Sequence, residues 1–241
     1  GAVALVAGAS AGIGAATASA LAEKGARVIC ASRDKARLDA LAARLGGGAH
    51  ALELDVTDPA ATAGLLGSLP QELREIDILI ACAGHDVGGR RRFDLGDVEE
   101  WARIVETNVT GMIRVCHAVI PGMLERNRGH VVTLGSIAGL RTFPGGSIYA
   151  ATKFAVRAFT DALRKDYKDT ALRMTEILPG LTRTEFAGRR FHGDDAKGKA
   201  FYDGFPETIE AEDIARAIVY ALEQPPHVTV AQMVVVPTHE A

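Results

Sequence analysis

The chain has 241 residues, 48% of them hydrophobic, a formal net charge of −3 and a pI of about 6.2. That size and apolar content suit one domain of the larger kind with its own core, and the near balance of charge excludes a protein that works by bulk attraction to nucleic acid. Cys30, Cys82 and Cys116 lie inside apolar runs with no paired spacing, which argues for reduced, buried thiols in a cytoplasmic protein; no signal peptide is expected, and no apolar run reaches the roughly 20 residues of a membrane span.

Strand and helix patterns alternate along the chain. Residues 2–7 are a short apolar run of the buried parallel type, 8–14 a glycine-rich turn and 13–24 a helix ending at Gly25. The second strand is expected at 27–31, then a helix at 34–45 stopped by three glycines, a third strand at 50–54 and a helix at 59–69 with Asp58 as its N-cap. A fourth strand at 76–81 and a loop at 84–95 precede one long helical region at 97–126. The fifth strand is expected at 130–134, a helix with an apolar stripe at 147–168, a sixth strand at 172–178, a helix at 211–222 and a last strand at 228–236. Residues 181–206 read as irregular and polar, a segment placed to cover a substrate. Alternation at this spacing predicts βαβ units: an α/β, Rossmann-like, doubly wound parallel sheet of about seven strands with helices on both faces, in one domain over 1–241.

The turn Gly8-Ala-Ser10-Ala-Gly12-Ile13-Gly14 stands between the first strand and the first helix. Glycines there let the backbone approach a pyrophosphate, and the helix N-terminus offers free N–H groups and partial positive charge. Binders of NAD carry an acid at the end of the second strand to hold the ribose 2′-OH. Here Ser32 and Arg33 take that place, and a guanidinium pairs naturally with a 2′-phosphate. Asp34 is a rival signal, read instead as the N-cap of the second helix, so NADP is favoured over NAD. Asp55-Val56, ending the third strand, is placed to meet an adenine or simply to start a helix.

Tyr149 and Lys153 are four residues apart, on one face of a helix, and Ser136 follows the fifth strand. An adjacent ammonium is expected to favour the phenolate and lower the Tyr149 pKa, so that Tyr149 can pass a proton to or from a substrate oxygen that Ser136 also holds. The seven histidines and three cysteines show no metal-ligand spacing, and no metal is expected.

Together these residues resemble the short-chain dehydrogenase/reductase family over essentially the whole chain. The family's glycine motif appears at Gly8, Gly12, Ile13 and Gly14, its Asn-Asn-Ala-Gly as Ala81-Cys82-Ala83-Gly84, its helix asparagine as Asn108, its serine as Ser136, its Tyr-x-x-x-Lys as Tyr149 and Lys153, and its Pro-Gly-x-x-x-Thr as Pro179, Gly180 and Thr184. Ala7 replaces a threonine, and Ala81 and Cys82 replace both asparagines, which bears on loop rigidity and cofactor affinity. The resemblance implies hydride transfer with Asn108, Ser136, Tyr149 and Lys153 as catalytic residues. Lys153 would also hold the nicotinamide ribose, and Asn108 a water that refills the proton; Asn108 read without its companions is an amide mending a kinked helix.

Segments of the second half look most like NADP-dependent 3-hydroxy acid (serine, allo-threonine) dehydrogenases, with clavaldehyde- and sulfoacetaldehyde-reducing relatives sharing much of the background. The loop from His85 through Arg90-Arg91-Arg92 departs from that subfamily and lies where substrate loops lie. For a substrate carboxylate Arg190 is the first candidate, with Arg141, Arg183, Arg189 and Arg90 to Arg92 as rivals. Other readings are the same chemistry on a larger carbonyl compound and a regulator that senses NADPH without turnover. A homo-oligomer, tetrameric by resemblance, is expected.

Overall fold

The computed structural model describes residues 1–240. The strands are β1 (Val3–Ala7), β2 (Arg27–Ser32), β3 (His50–Glu53), β4 (Ile78–Ala81), β5 (Gly129–Leu134), β6 (Leu172–Pro179), a side pair of β7 (Thr182–Arg183) with β8 (Ile209–Glu210), and β9 (Gln232–Val235). All but the side pair form one parallel sheet in the order β3-β2-β1-β4-β5-β6-β9. The helices are α1 (Gly12–Glu23), α2 (Lys35–Leu45), α3 (Pro59–Ala63), α4 (Val98–Val105), α5 (Met112–Glu125), α6 (Ser147–Asp166), α7 (Phe186–Arg190), α8 (Asp195–Asp203) and α9 (Ala211–Leu222).

The strands are apolar on both faces because both faces are covered. Val3, Leu5 and Ala7 join Ile29, Leu79 and Val131 beneath Met112, Val115 and Val119 of α5 and Val156 of α6. The alternate residues Ala4 and Val6 join Val28, Ile80 and Val132 beneath Ala18 and Leu21 of α1, Leu38 of α2 and Ile214 and Ile218 of α9. Each large side chain buried this way contributes about 1.5–3 kcal/mol of transfer free energy. The sheet reverses its order between β1 and β4, and the crevice over that switch point is where such sheets bind ligands.

Four expected elements differ. The helix at 59–69 stops at Ala63 and continues as turns through two glycines, Gly64 and Gly67. The helical region at 97–126 is broken by a π-helical turn, Glu106–Gly111, between α4 and α5. The last strand is only β9, within 228–236. Most of 181–206 is helical rather than irregular: Asp194 caps α8 by accepting from the Lys197 N–H (2.9 Å), and Gly188 and Gly198, which read as loop residues, are where α7 and α8 touch.

His130 of β5 is buried, and its Nε2 shares a hydrogen bond of 2.8 Å with Thr175 Oγ1, whose hydroxyl donates to the Val230 carbonyl. Its Nδ1 has no partner. Burial, with a smaller push from Arg173, drives the imidazole pKa down from 6.5 to about 3. The folded state therefore refuses a proton that the unfolded chain accepts. The stability this neutral histidine permits is complete above about pH 6.5 and falls by ~1.4 kcal/mol per pH unit towards pH 3. Urea midpoints measured from pH 7 to pH 4 should drop more steeply for the native chain than for His130→Gln; parallel slopes would remove His130 as the source.

Candidate active site

The seven strands end along one edge of the sheet, and a cavity of about 1120 Å³ runs across the ends of six of them, β1 to β6. After β1 the backbone turns at Gly8, whose N–H donates to the Ala31 carbonyl (2.8 Å) and whose φ is +95°. A Cβ on Gly8 would lie 2.7 Å from the Ala83 nitrogen, so only glycine fits between the β1 and β4 turns. α1 then starts at Ala11 with no side-chain cap and no acid in its first turn, leaving its first N–H groups facing the cavity as an anion site. Ser10, Gly12, Ile13 and Gly14 line that end.

At the end of β2 the Asp34 carboxylate accepts from the Arg37 N–H (3.1 Å) and pairs with Arg37 Nε (3.3 Å), which makes it the cap of α2. Ser32 Oγ accepts from the Asp34 N–H (3.2 Å). Arg33 faces the cavity and, among the described residues, makes no salt bridge. The Asp55 carboxylate accepts from the N–H (2.9 Å) and hydroxyl (2.7 Å) of Thr57. Burial pushes its pKa up, but those two bonds and the charge of Arg33 outweigh it, so the group stays ionised below the usual carboxylate range. Val56, Ala83, Gly84, Pro179, Gly180 and Thr184 line the same cavity.

On the other side, β5 delivers Ser136 and the first turns of α6 deliver Tyr149 and Lys153, all facing the cavity. Ser136 Oγ accepts from the Ala138 N–H (3.1 Å) and its hydroxyl donates to the Pro179 carbonyl (3.5 Å), while its proximity to Tyr149 favours the phenolate. Lys153 is buried, its Nζ 5.6 Å from the Tyr149 ring centre and donating to the Leu134 carbonyl at 2.8 Å. Burial lowers the Lys153 pKa to about 8, against the pull of Cys82, Glu176 and Asp86, which favour its charge.

The short chain dehydrogenase model matches residues 2–195. The chain belongs to the short chain dehydrogenase family. It is 39% identical over 240 residues to an NADP-dependent 3-hydroxy acid dehydrogenase of Salmonella typhi, covering 99% of this chain and 96% of the relative. To the enzyme of the same description from Schizosaccharomyces pombe it is 38% identical over 241 residues, covering 98% and 92%. A closed form of serine dehydrogenase complexed with NADP+ superposes with a TM-score of 0.95 at 38% identity, covering 99% of this chain and 96% of that one.

Within this family member, two expectations about individual residues are corrected. The Tyr149 pKa is raised rather than lowered. Burial, then the charge of Asp86, drives the phenol above its ordinary value of 10, and what pulls it back is the nearby Ser136 hydroxyl and Arg190. The Lys153 ammonium is engaged by the Leu134 carbonyl instead. Arg190, the first candidate for a substrate carboxylate, is 7% exposed, and its Nε is paired with Asp86 Oδ2 at 2.7 Å. Cys30 and Cys116 are buried thiols as expected, whereas Cys82 is only half-buried and lines the cavity beside Lys153.

Asn108 does not line the cavity. It sits in the π-helical turn, where its Oδ1 accepts from the His85 N–H (2.9 Å) and its Nδ2 donates to the His85 carbonyl (2.9 Å) and to Thr152 Oγ1 (3.3 Å). Its amide therefore ties the β4 loop to α6 rather than mending its own helix. The residues that sequence reasoning missed are Asp86 and the rings of Phe143, Phe186 and Phe201; nothing in the local sequence ties Asp86 to Arg190, 104 residues later. Replacing Asn108 by Ala removes three hydrogen bonds in a region closed to solvent and should cost about 2–3 kcal/mol in urea unfolding; an unchanged midpoint would mean that the tie contributes nothing to folding.

Proposed function

We propose that the chain is an NADP-dependent oxidoreductase that interconverts a small polar alcohol of the 3-hydroxy acid type and its carbonyl compound, with Tyr149 as general acid and base. The observation that carries this reading is Tyr149, with Ser136 and Lys153 beside it, lining the same cavity as the glycine turn and Arg33, which has no salt bridge among the described residues. The chemistry of the relatives supports the same reading.

The glycine turn and the α1 N-terminus fit a pyrophosphate, because α1 begins at the cavity wall with no side-chain cap and no acid in its first turn. Arg33 would take the 2′-phosphate, since the acid next to it is spent on capping α2. Lys153 would hold the nicotinamide ribose hydroxyls. The bound dinucleotide supplies the hydride chemistry. Ser136 holds the substrate oxygen, and Tyr149 gives it a proton in reduction and takes one in oxidation. A phenol held above its ordinary pKa is protonated at neutral pH, which suits the donor role and so the reducing direction. Asn108 serves by positioning, through the β4 loop and α6.

A second reading keeps this chemistry and enlarges the carbonyl compound; the rings of Phe143, Phe186, Phe201 and Phe205 along the cavity favour it. No helix among the described residues is long and apolar enough to cross a membrane, and we infer a cytoplasmic homo-oligomer, tetrameric as the family resemblance implies, whose contacts use the exposed Val105, Ile113 and Phe154 of α4, α5 and α6.

NADPH consumption with a panel of aldehydes, oxo acids and 3-hydroxy acids tests the activity. Tyr149→Phe should lower turnover by about 10²–10⁴-fold while NADPH still binds by fluorescence titration; retained turnover would refute the proton-transfer role. Arg33→Ala should lower kcat/KM for NADPH by about 10–100-fold and leave NADH nearly unchanged, the loss of one charge-assisted phosphate contact. An equal fall for both dinucleotides would transfer the 2′-phosphate to another group.

A further inference from the structure

Arg90 and Arg190 line the substrate half of the cavity, and Asp86 lies behind them; among the described residues no hydrogen bond or salt bridge joins these three to the catalytic ones. Asp86 and Arg190 are both buried and paired at 2.7 Å, and the Gly88 N–H donates to the Arg190 carbonyl (3.2 Å). This pair ties the β4 loop to α7. The second oxygen of Asp86, Oδ1, has no partner and lies against Gly89, where a Cβ would run into the carboxylate. Asp86 thus does not face the cavity, and its role is to neutralise Arg190 from behind. Arg190 keeps an unpartnered Nη1 as a hydrogen-bond donor, but its Nε is already committed to Asp86.

The third group is Arg90. Its guanidinium sits over two aromatic rings, 4.7 Å from the centre of Phe143 and 4.8 Å from that of Phe201, whose other guanidinium neighbour is Arg190 at 5.0 Å. Two rings at this distance restrain the fork, and none of its N–H groups has a salt bridge among the described residues. Arg90 lines the cavity, is accessible, and has no salt bridge among the described residues. Desolvation against the rings and the like charge of Arg190 both pull its pKa below that of a free guanidinium, so an anion beside it would be stabilising. Its backbone is held at φ 59°, a costly conformation for a residue with a side chain, and the Gly145 backbone packs directly against it. The loop spends strain on aiming this side chain.

A run of contacts links it to the chemistry. The Tyr149 ring lies 5.8 Å from that of Phe186, Phe186 carries Arg190 at 5.5 Å, and Arg190 and Arg90 share Phe201. Of the two arginines in this row, Arg190 has a salt bridge and Arg90, among the described residues, has none.

We propose that Arg90, packed against Phe143 and Phe201, is the residue that binds the carboxylate of the substrate and gives the site its preference for acids, while Arg190 is held by Asp86 as a structural tie. This assignment rests on the oxidoreductase reading above and adds to it the residue that selects the substrate.

The test uses the full chain with NADP+ and two substrates of one skeleton, 3-hydroxybutyrate and its methyl ester. In the native enzyme the acid should be preferred. Arg90→Met should lower kcat/KM for the acid by about 10–100-fold, the size of a lost charge-assisted contact, and for the ester by less than about threefold. Arg90→Lys, which keeps the charge and loses the planar fork, should restore part of the preference. Circular dichroism and an unchanged NADPH affinity check that the variants are folded. Equal losses on acid and ester, or a preference kept in Arg90→Met and lost in Arg190→Met, would overturn the assignment. Turnover of the ester alone, at the same rate in the native enzyme and Arg90→Met, would overturn it and leave the oxidoreductase reading standing. Turnover of neither compound would overturn the 3-hydroxy acid reading, and the anchor with it.

Discussion

The structure depends on one buried cation. Lys153 is 6% exposed, its recorded hydrogen bond is to the Leu134 carbonyl, and no carboxylate lies within ion-pair distance of it among the described residues. An ammonium so placed is expensive, and the fall of its pKa to about 8 measures that cost. What keeps it charged is field rather than contact: Glu176 beneath β5 and Asp86 across the cavity both favour the ammonium from a distance. The single contact has a geometric consequence. It fastens α6 to the last carbonyl of β5, two residues before Ser136, so the serine on the strand and the tyrosine on the helix share a register they would otherwise lack.

Tyr149 responds to the same field with the opposite sign. The negative charge of Asp86 that supports Lys153 opposes a phenolate, and burial opposes it more. The site therefore holds a protonated phenol beside a cation whose charge is conditional, with Arg190 and the Ser136 hydroxyl as the groups that favour ionisation. Two buried carboxylates frame this arrangement, each with one oxygen that has no partner: Asp86 Oδ1 and Glu176 Oε1. Each spends its other oxygen on a single tie, to Arg190 and to Gln232. Carboxylates satisfied on one side only are poor sources of stability but effective sources of potential, and both act on Lys153.

The dinucleotide half was legible in the sequence because it is made of local backbone. Apolar runs end where strands end, the glycines sit in the turn that follows β1, and Asp34 was read correctly as a cap because capping is decided within three residues. The Tyr149–Lys153 spacing was legible for the same reason: a helix turn puts both on one face. What failed was long-range or summed. The π-helical turn around Asn108 follows from its amide reaching His85 and Thr152, contacts that no local pattern announces. α7 and α8 were hidden because the glycines between them serve a helix contact, which in sequence looks like a loop. The direction of the Tyr149 pKa was misread because the nearest charge along the chain, Lys153, is not the largest influence; burial and a carboxylate from another segment are.

This division explains why one scaffold can change substrates while keeping its chemistry. The proposed dinucleotide contacts lie at strand ends and a glycine turn, where a substitution disturbs the sheet itself. The substrate half is assembled from side chains on three separated segments: Asp86 and Arg90 after β4, Phe143 before α6, and Arg190 and Phe201 on α7 and α8. Its net charge is set by which arginine meets a carboxylate, a relation between segments that leaves the sheet untouched. Had residue 86 been neutral, Arg190 would be the free cation and Arg90 a second one beside it, and two like charges on one ring would repel. Asp86 offsets part of that repulsion and holds Arg190 in a salt bridge, which leaves Arg90 as the cation without one. Selectivity in this half is thus governed by a residue that the substrate need never touch.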